Sequence, residues 1–111
     1  MLDKDLVRRV VRRETNQLRD CYQLALLGRP RLAGRIEVEF FIEPHGNVVG
    51  SSIRSSMANS TELEVCILDK IRRWEFPAIA HTRHDHVYIV HYPFIFSLAG
   101  SPATDISIGN R

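Results

Sequence analysis

The sequence predicts a small α+β domain in which two helices cover one face of a three-stranded antiparallel sheet. Three observations support this: a long amphipathic stretch over residues 3–27, a strictly alternating segment over 35–43, and an element order of α-β-β-α-β. The 111 residues, of which 44% are hydrophobic and 25% charged, suit one compact globular domain.

Residues 3–27 are predicted to form the first helix, because their apolar side chains recur at three- and four-residue steps. Asp3 is the predicted N-cap. Gly28 and Pro30 end the helix, since glycine tolerates the left-handed conformation and proline cannot continue the turn. The apolar stripe consists of Val7, Val10, Val11, Leu18, Cys21, Tyr22 and Ala25.

Residues 35–43 alternate as a strand with one buried face does. One face carries Ile36, Val38, Phe40 and Ile42, and the other carries Glu37, Glu39, Phe41 and Glu43. Turn residues at 44–47 lead into a more polar strand over 48–56, so the two strands form a hairpin.

Asn59 is predicted to cap a second helix, with Glu62 as its capping-box partner, and Pro77 closes that segment. Its apolar face is Leu63, Cys66, Ile67, Ile71 and Trp74. A third strand over 86–97 is rich in β-branched and aromatic residues. The predicted domain covers residues 1–98, and 99–111 form a flexible tail.

The simplest sheet that joins these elements has the order 2-1-3, with a right-handed crossover into the third strand. Both helices then cover the same apolar face, which makes a two-layer domain. Strands two and three are the edges. The tail segment 103–109 also alternates. The linker 99–102 is short, so we expect the segment to pair more easily with a neighbouring molecule than with its own strand, unless it is disordered.

Composition excludes some classes of function. A net charge of +2 is too small to indicate nucleic-acid binding. No segment approaches the ~20 apolar residues that span a bilayer, and no signal peptide precedes the first helix. We therefore expect a fragment of a longer protein. No serine has a neighbouring base, so we expect neither enzyme activity nor a cofactor.

Several side chains have both a structural and a functional interpretation. His81, His84, His86 and His91 with Asp85 could grip a metal, but His86 and His91 point to opposite faces of a strand, and we expect no metal. The first helix carries Arg8, Arg9, Arg12 and Arg13, which form either a solvated face or a polyanion contact. Phe41 is either a lone surface residue or part of a binding patch.

The third strand has the strongest functional signal, since it is long, aromatic and at an edge. Its predicted partner-binding residues are Val87, Tyr88, Ile89, Val90, His91 and Tyr92. Cys21 and Cys66 are either two buried thiols or one disulfide, and composition leaves both open.

The chain resembles the TonB C-terminal superfamily over residues 5–97, most closely the AgmX/PglI C-terminal family of myxobacterial gliding-motility proteins. The likeness rests on an ordered set of weak motifs rather than on one strong motif. These are Cys21-Tyr22, Pro30, Leu32, Gly34, Val38, Phe40, Ile42, Gly46, Val48, Ser55-Ser56, Cys66, Trp74, Phe76, Pro77 and Tyr92-Pro93-Phe94.

The resemblance implies the periplasmic end of an envelope protein, anchored in the inner membrane by an N-terminal helix outside this fragment. It implies a Cys21–Cys66 disulfide, because this branch carries a cysteine in both places. It also implies capture of an extended segment of an outer-membrane or motility-complex protein by the third strand, without nucleic acid, and it allows a homodimer. The alternative is an envelope-structure domain whose arginines bind anionic cell-wall or lipopolysaccharide groups.

Overall fold

The computed structural model describes residues 4–78 and 87–98, together with the backbone of 105–106. The helices are α1 (Lys4–Gly28) and α2 (Thr61–Arg72). The three main strands are β1 (Gly34–Ile42), β2 (Val48–Ser56) and β3 (Tyr88–Phe96), which form an antiparallel sheet in the order β2-β1-β3. The predicted α+β architecture and strand order are confirmed.

A fourth strand, β4 (Asp105–Ile106), adds to the outer side of β3. It runs antiparallel, with Ile106 opposite Phe94 and Asp105 opposite Ile95. The expectation that this segment pairs more easily with a neighbouring molecule is therefore wrong for these two residues. β3 ends at Phe96, and β4 begins at Asp105.

The core lies between one face of the sheet and the two helices, as the alternation of β1 predicts. Ile36, Val38, Phe40 and Ile42 are all fully buried. The Phe40 ring meets Trp74 edge-on at 6.2 Å and stacks with Phe76 at 6.0 Å between centroids. From β3, the core includes Val90, Tyr92, Phe94 and Phe96.

The two helices lie over different strands. The Tyr22 ring of α1 contacts Phe96 of β3, with 5.2 Å between centroids. From α2, the carbonyl of Leu68 accepts a hydrogen bond from the Ser51 hydroxyl of β2. The Trp74 indole donates to the Gln17 side chain at 2.9 Å, which ties the segment after α2 to the middle of α1.

The start of α2 differs from its prediction by one residue. Ser60 is the N-cap, and its hydroxyl accepts a hydrogen bond from the Leu63 amide at 3.2 Å. Asn59 lies just outside the helix with φ +57°, a left-handed conformation that asparagine tolerates better than most residues. The Asn59–Glu62 capping box is therefore wrong. The predicted cap of α1, Asp3, lies outside the described residues.

The β1–β2 turn is anchored against the segment that follows α2. Gly46 has φ +100°, and a Cβ atom there would lie 1.8 Å from the Phe76 carbonyl oxygen. The Phe76 amide donates to the Gly46 carbonyl at 2.8 Å. Only glycine fits at position 46.

The same turn holds the Glu43 carboxylate. Hydrogen bonds donated to Glu43, first by the His45 amide and then by Asn47, lower the pKa of that carboxyl despite some desolvation.

No helix in the described part of the chain is long and apolar enough to cross a membrane.

Candidate functional site

The two outer strands of the β2-β1-β3 arrangement have different geometry. β3 pairs with β1 over nine consecutive residues, from Gly34↔Phe96 to Ile42↔Tyr88, without a register shift. β2 pairs with β1 through two shifts, between Glu37 and Val38 and between Phe41 and Ile42. Bulges of this kind disrupt an edge and protect it against further pairing. β3 therefore presents the more regular edge.

The outer side of β3 is only partly used. Within the described residues, β4 pairs at Phe94 and Ile95 alone, and no strand pairs with 89–93 on that side. Two apolar side chains nearby are open to solvent, Ile89 at 55% and Val87 at 48% exposure. Four of the predicted edge residues alternate along this part of β3. Val90 and Tyr92 face the core, and Ile89 and His91 face away from it.

The sheet face opposite the helices carries a cluster of charged side chains that joins all three main strands. The His91 Nε2 atom of β3 lies 2.7 Å from a Glu39 carboxylate oxygen of β1 and 2.8 Å from Nη1 of Arg54 of β2. Arg54 also approaches Glu37 at 3.6 Å. One ring nitrogen can donate to Glu39 or accept from Arg54, but it cannot do both. The Nε2 atom of His91 therefore hydrogen-bonds one of these two groups at a time.

The sequence predicted that Glu37, Glu39 and His91 face away from the core, but not that they meet through Arg54. Arg54 lies at the bulge of β2, opposite the shift between Glu37 and Val38. The polar composition of β2 was the one available signal, and it does not specify a bulge. The cluster of Glu37, Glu39, Arg54 and His91 could be recognised only once the register between β1 and β2 was known.

Phe41 lies next to this cluster and has apolar contact on the same face. It is half-buried and stands opposite Ile89 in the β1–β3 register. On its other side it faces Gly50 of β2, where an added Cβ would lie 3.2 Å from the Phe41 ring. Glycine at position 50 leaves room for this ring. Phe41 and Ile89 thus form a small apolar pair beside the stretch of β3 for which no outer strand is described.

On the helix side of the same edge lies a polar group for which the described residues provide no partner. Tyr92 is fully buried, stacks on Phe94 with 5.2 Å between centroids, and makes no hydrogen bond through its hydroxyl to any described residue. Burial raises the pKa of Tyr92, and the positive charges of Arg8 and Arg12 partly oppose that rise. Both arginines also line a shallow groove of about 250 Å³ with Asp5 and Arg9.

Cys21 of α1 and Cys66 of α2 form a disulfide, with 5.7 Å between their Cα atoms. The predicted pair is confirmed as a pair at bonding distance. Cys21 is buried and Cys66 is half-buried, and the bond joins the two helices directly.

Other candidates have less support within the described residues. His81, His84, Asp85 and His86 lie outside those residues. Elsewhere in the described chain, no group of three or more His, Cys, Asp or Glu side chains is arranged to hold a metal.

Comparisons with known proteins give no match: no family model, curated protein or solved structure is significantly similar to this chain.

Proposed function

We propose that this domain binds an extended segment of a partner protein, which adds as a strand to the outer edge of β3. The observation that carries the proposal is the regular β3 strand, of which residues 89–93 are left without an outer strand in the described part of the chain. Backbone N–H and C=O groups would supply affinity, and side chains on alternate faces would supply selectivity.

The pairing of β4 supports this proposal, because it puts an added strand on that same side of β3. The polar, twice-shifted β2 strand on the opposite side is less suited to the same role. Ile89 and Phe41 offer apolar contact to side chains of the incoming segment that lie on the open face.

We further propose that the domain is the periplasmic end of a TonB-like or gliding-motility envelope protein, with an outer-membrane or motility-complex protein as its partner. Two features support this assignment: the ordered motifs of the sequence resemblance and the Cys21–Cys66 disulfide. Disulfides persist in oxidising compartments, of which the bacterial periplasm is one.

The arginine-lined groove on α1 favours a second candidate, an envelope-structure domain that binds anionic cell-wall or lipopolysaccharide groups. Strong salt dependence of binding to a polyanion, without any requirement for the β3 edge, would distinguish this function from strand addition.

Strand addition can be tested with a soluble seven-residue probe of alternating threonine and valine, TVTVTVT, followed by two lysines. A strand directs alternate N–H groups to opposite sides, so N-methylation of alternate residues removes either the donors that face β3 or those that face solvent. We expect one methylation pattern to abolish binding and the other to preserve it. We also expect the unmodified probe to slow amide exchange at residues 89–93 but not in β2. Equal binding by both methylated probes would contradict the proposal.

A further inference from the structure

The buried Tyr92 hydroxyl is the starting point, because it lacks a hydrogen bond within the described chain. A hydroxyl that is removed from water without a hydrogen-bond partner destabilises the fold. Tyr92 is fully buried, so no exposed surface relieves this. A tyrosine in this position suits a ligand that supplies an acceptor for its hydroxyl.

The charges around this hydroxyl indicate the kind of acceptor. Arg8 and Arg12 are close enough for their charges to act on Tyr92, and they line one groove with Arg9. Among the described residues of that lining, Asp5 is the single acidic one, and it lies 3.3 Å from Arg8. Three arginines against one aspartate give the described lining a positive balance. A tyrosine hydroxyl and guanidinium groups all donate hydrogen bonds to a carboxylate.

The geometry of the sheet brings a partner's side chain to this place. A residue opposite or diagonal to Tyr92 on an added strand has its Cβ about 4.5–8 Å from that of Tyr92, on the same face. Because Tyr92 faces the helices, such a residue lies on the helix-covered side of the sheet, the side on which the charges of Arg8 and Arg12 act on Tyr92.

We propose that the domain selects strands that carry an acidic residue on the helix-facing side, which binds between Arg8, Arg12 and the Tyr92 hydroxyl. This inference rests on the proposed strand addition and names the chemistry of its partner: an extended acidic peptide segment. Tyr92 and the two arginines are specificity residues, whereas the β3 backbone supplies affinity for any strand.

The test uses the full chain and two matched probes, TVEVTVT and TVQVTVT, each followed by two lysines. Binding is measured by fluorescence anisotropy at fixed ionic strength. We expect the glutamate probe to bind about tenfold more tightly than the glutamine probe, as for a charge-assisted hydrogen bond. In Y92F and in R12Q this preference should fall to about threefold or less.

A matched control and a folding control accompany these variants. Arg13 lies on α1 outside the groove and contacts Glu14 at 3.2 Å, so R13Q should keep the full preference. Y92F removes only a buried, unpartnered oxygen, and its thermal stability should equal or exceed that of the unmodified chain. Loss of preference without loss of stability separates recognition from a structural role.

The remaining outcomes separate this inference from the function on which it rests. If both probes bind equally and remain sensitive to the pattern of N-methylation, strand addition stands and acidic selectivity is overturned. If neither probe binds, both proposals are overturned. If inorganic polyphosphate binds through Arg8 and Arg12 while neither Y92F nor N-methylation has an effect, the groove is a polyanion site instead.

Discussion

Phe40 and Phe41 are neighbours in β1, yet they lie on opposite faces of the sheet in different surroundings. Phe40 is fully buried among Trp74 and Phe76. Phe41 is half-buried, between Gly50 and the exposed Ile89. The helix-covered face consists of apolar side chains, whereas the open face combines this small apolar pair with the Glu37, Glu39, Arg54 and His91 cluster.

The two faces of the sheet contribute differently to the stability of the fold. Apolar burial on the covered face makes the major contribution to folding. Ion pairs between partly exposed side chains contribute roughly 0–1 kcal/mol each. Side chains on the open face and along the β3 edge can therefore change with a small effect on the fold. This is a favourable place for a binding surface.

The two phenylalanines give the largest expected contrast. Phe40→Ala should lower the free energy of unfolding by about 3–5 kcal/mol, because it leaves a cavity in the core. Phe41→Ala should lower it by about 1 kcal/mol, the scale of a cross-strand pair. Urea unfolding monitored by Trp74 fluorescence measures both. Similar losses for the two variants would show that the open face is covered in solution.

Removing the disulfide should have the next largest effect. A bond between residues 45 apart in sequence restricts the unfolded chain, which corresponds to roughly 4 kcal/mol in the chain-entropy model. The double variant Cys21→Ala with Cys66→Ala should therefore unfold at much lower urea concentration. The unmodified protein treated with reductant is the matched comparison. If non-reducing mass spectrometry finds two free thiols in the native protein, the predicted bond is wrong.

Alkaline pH offers another test of the covered side. Burial raises the pKa of Tyr22 and Tyr92 above the ordinary value of 10.0. In the folded chain these hydroxyls keep their protons to higher pH than in the unfolded chain. Their contribution to stability is fully present below about pH 10 and is lost as pH rises through the folded pKa.

We therefore expect the free energy of unfolding to fall above about pH 10, and to fall less steeply in Tyr92→Phe. Urea unfolding at a series of pH values from neutral to alkaline measures this slope. An identical slope for Tyr92→Phe and the unmodified chain would show that Tyr92 is accessible to solvent.

The smallest expected effect lies on the open face. Arg54→Gln removes contacts to Glu37, Glu39 and His91, but the partly exposed pairs should lower stability by about 1 kcal/mol or less. Arg72→Gln on the exposed surface of α2 is the control for the loss of one positive charge. A loss of several kcal/mol specific to Arg54→Gln would show that the cluster is structural rather than a surface feature.

The sequence was sufficient to identify the helices and strands and the face of the sheet that the helices cover. Apolar periodicity located the buried residues of α1, β1 and α2, because each element must direct one stripe or face to the core. Alternation also assigned Phe41 and His91 to the open face. The helix cap was displaced by one residue, since Asn59 and Ser60 are both good capping residues and only the backbone conformation distinguishes them.

Which side chains meet across strands depended on the packing of the whole fold. The two register shifts of β2 bring Arg54 to Glu37, Glu39 and His91, and no periodicity in the sequence specifies a bulge. The packing of α1 brings Arg8 and Arg12 near Tyr92, which lies eighty or more residues away in the chain. The pairing of β4 with β3 likewise became visible only in the tertiary structure. Periodicity reports the direction of a side chain from its own element, whereas contacts between elements depend on register and packing of the whole fold.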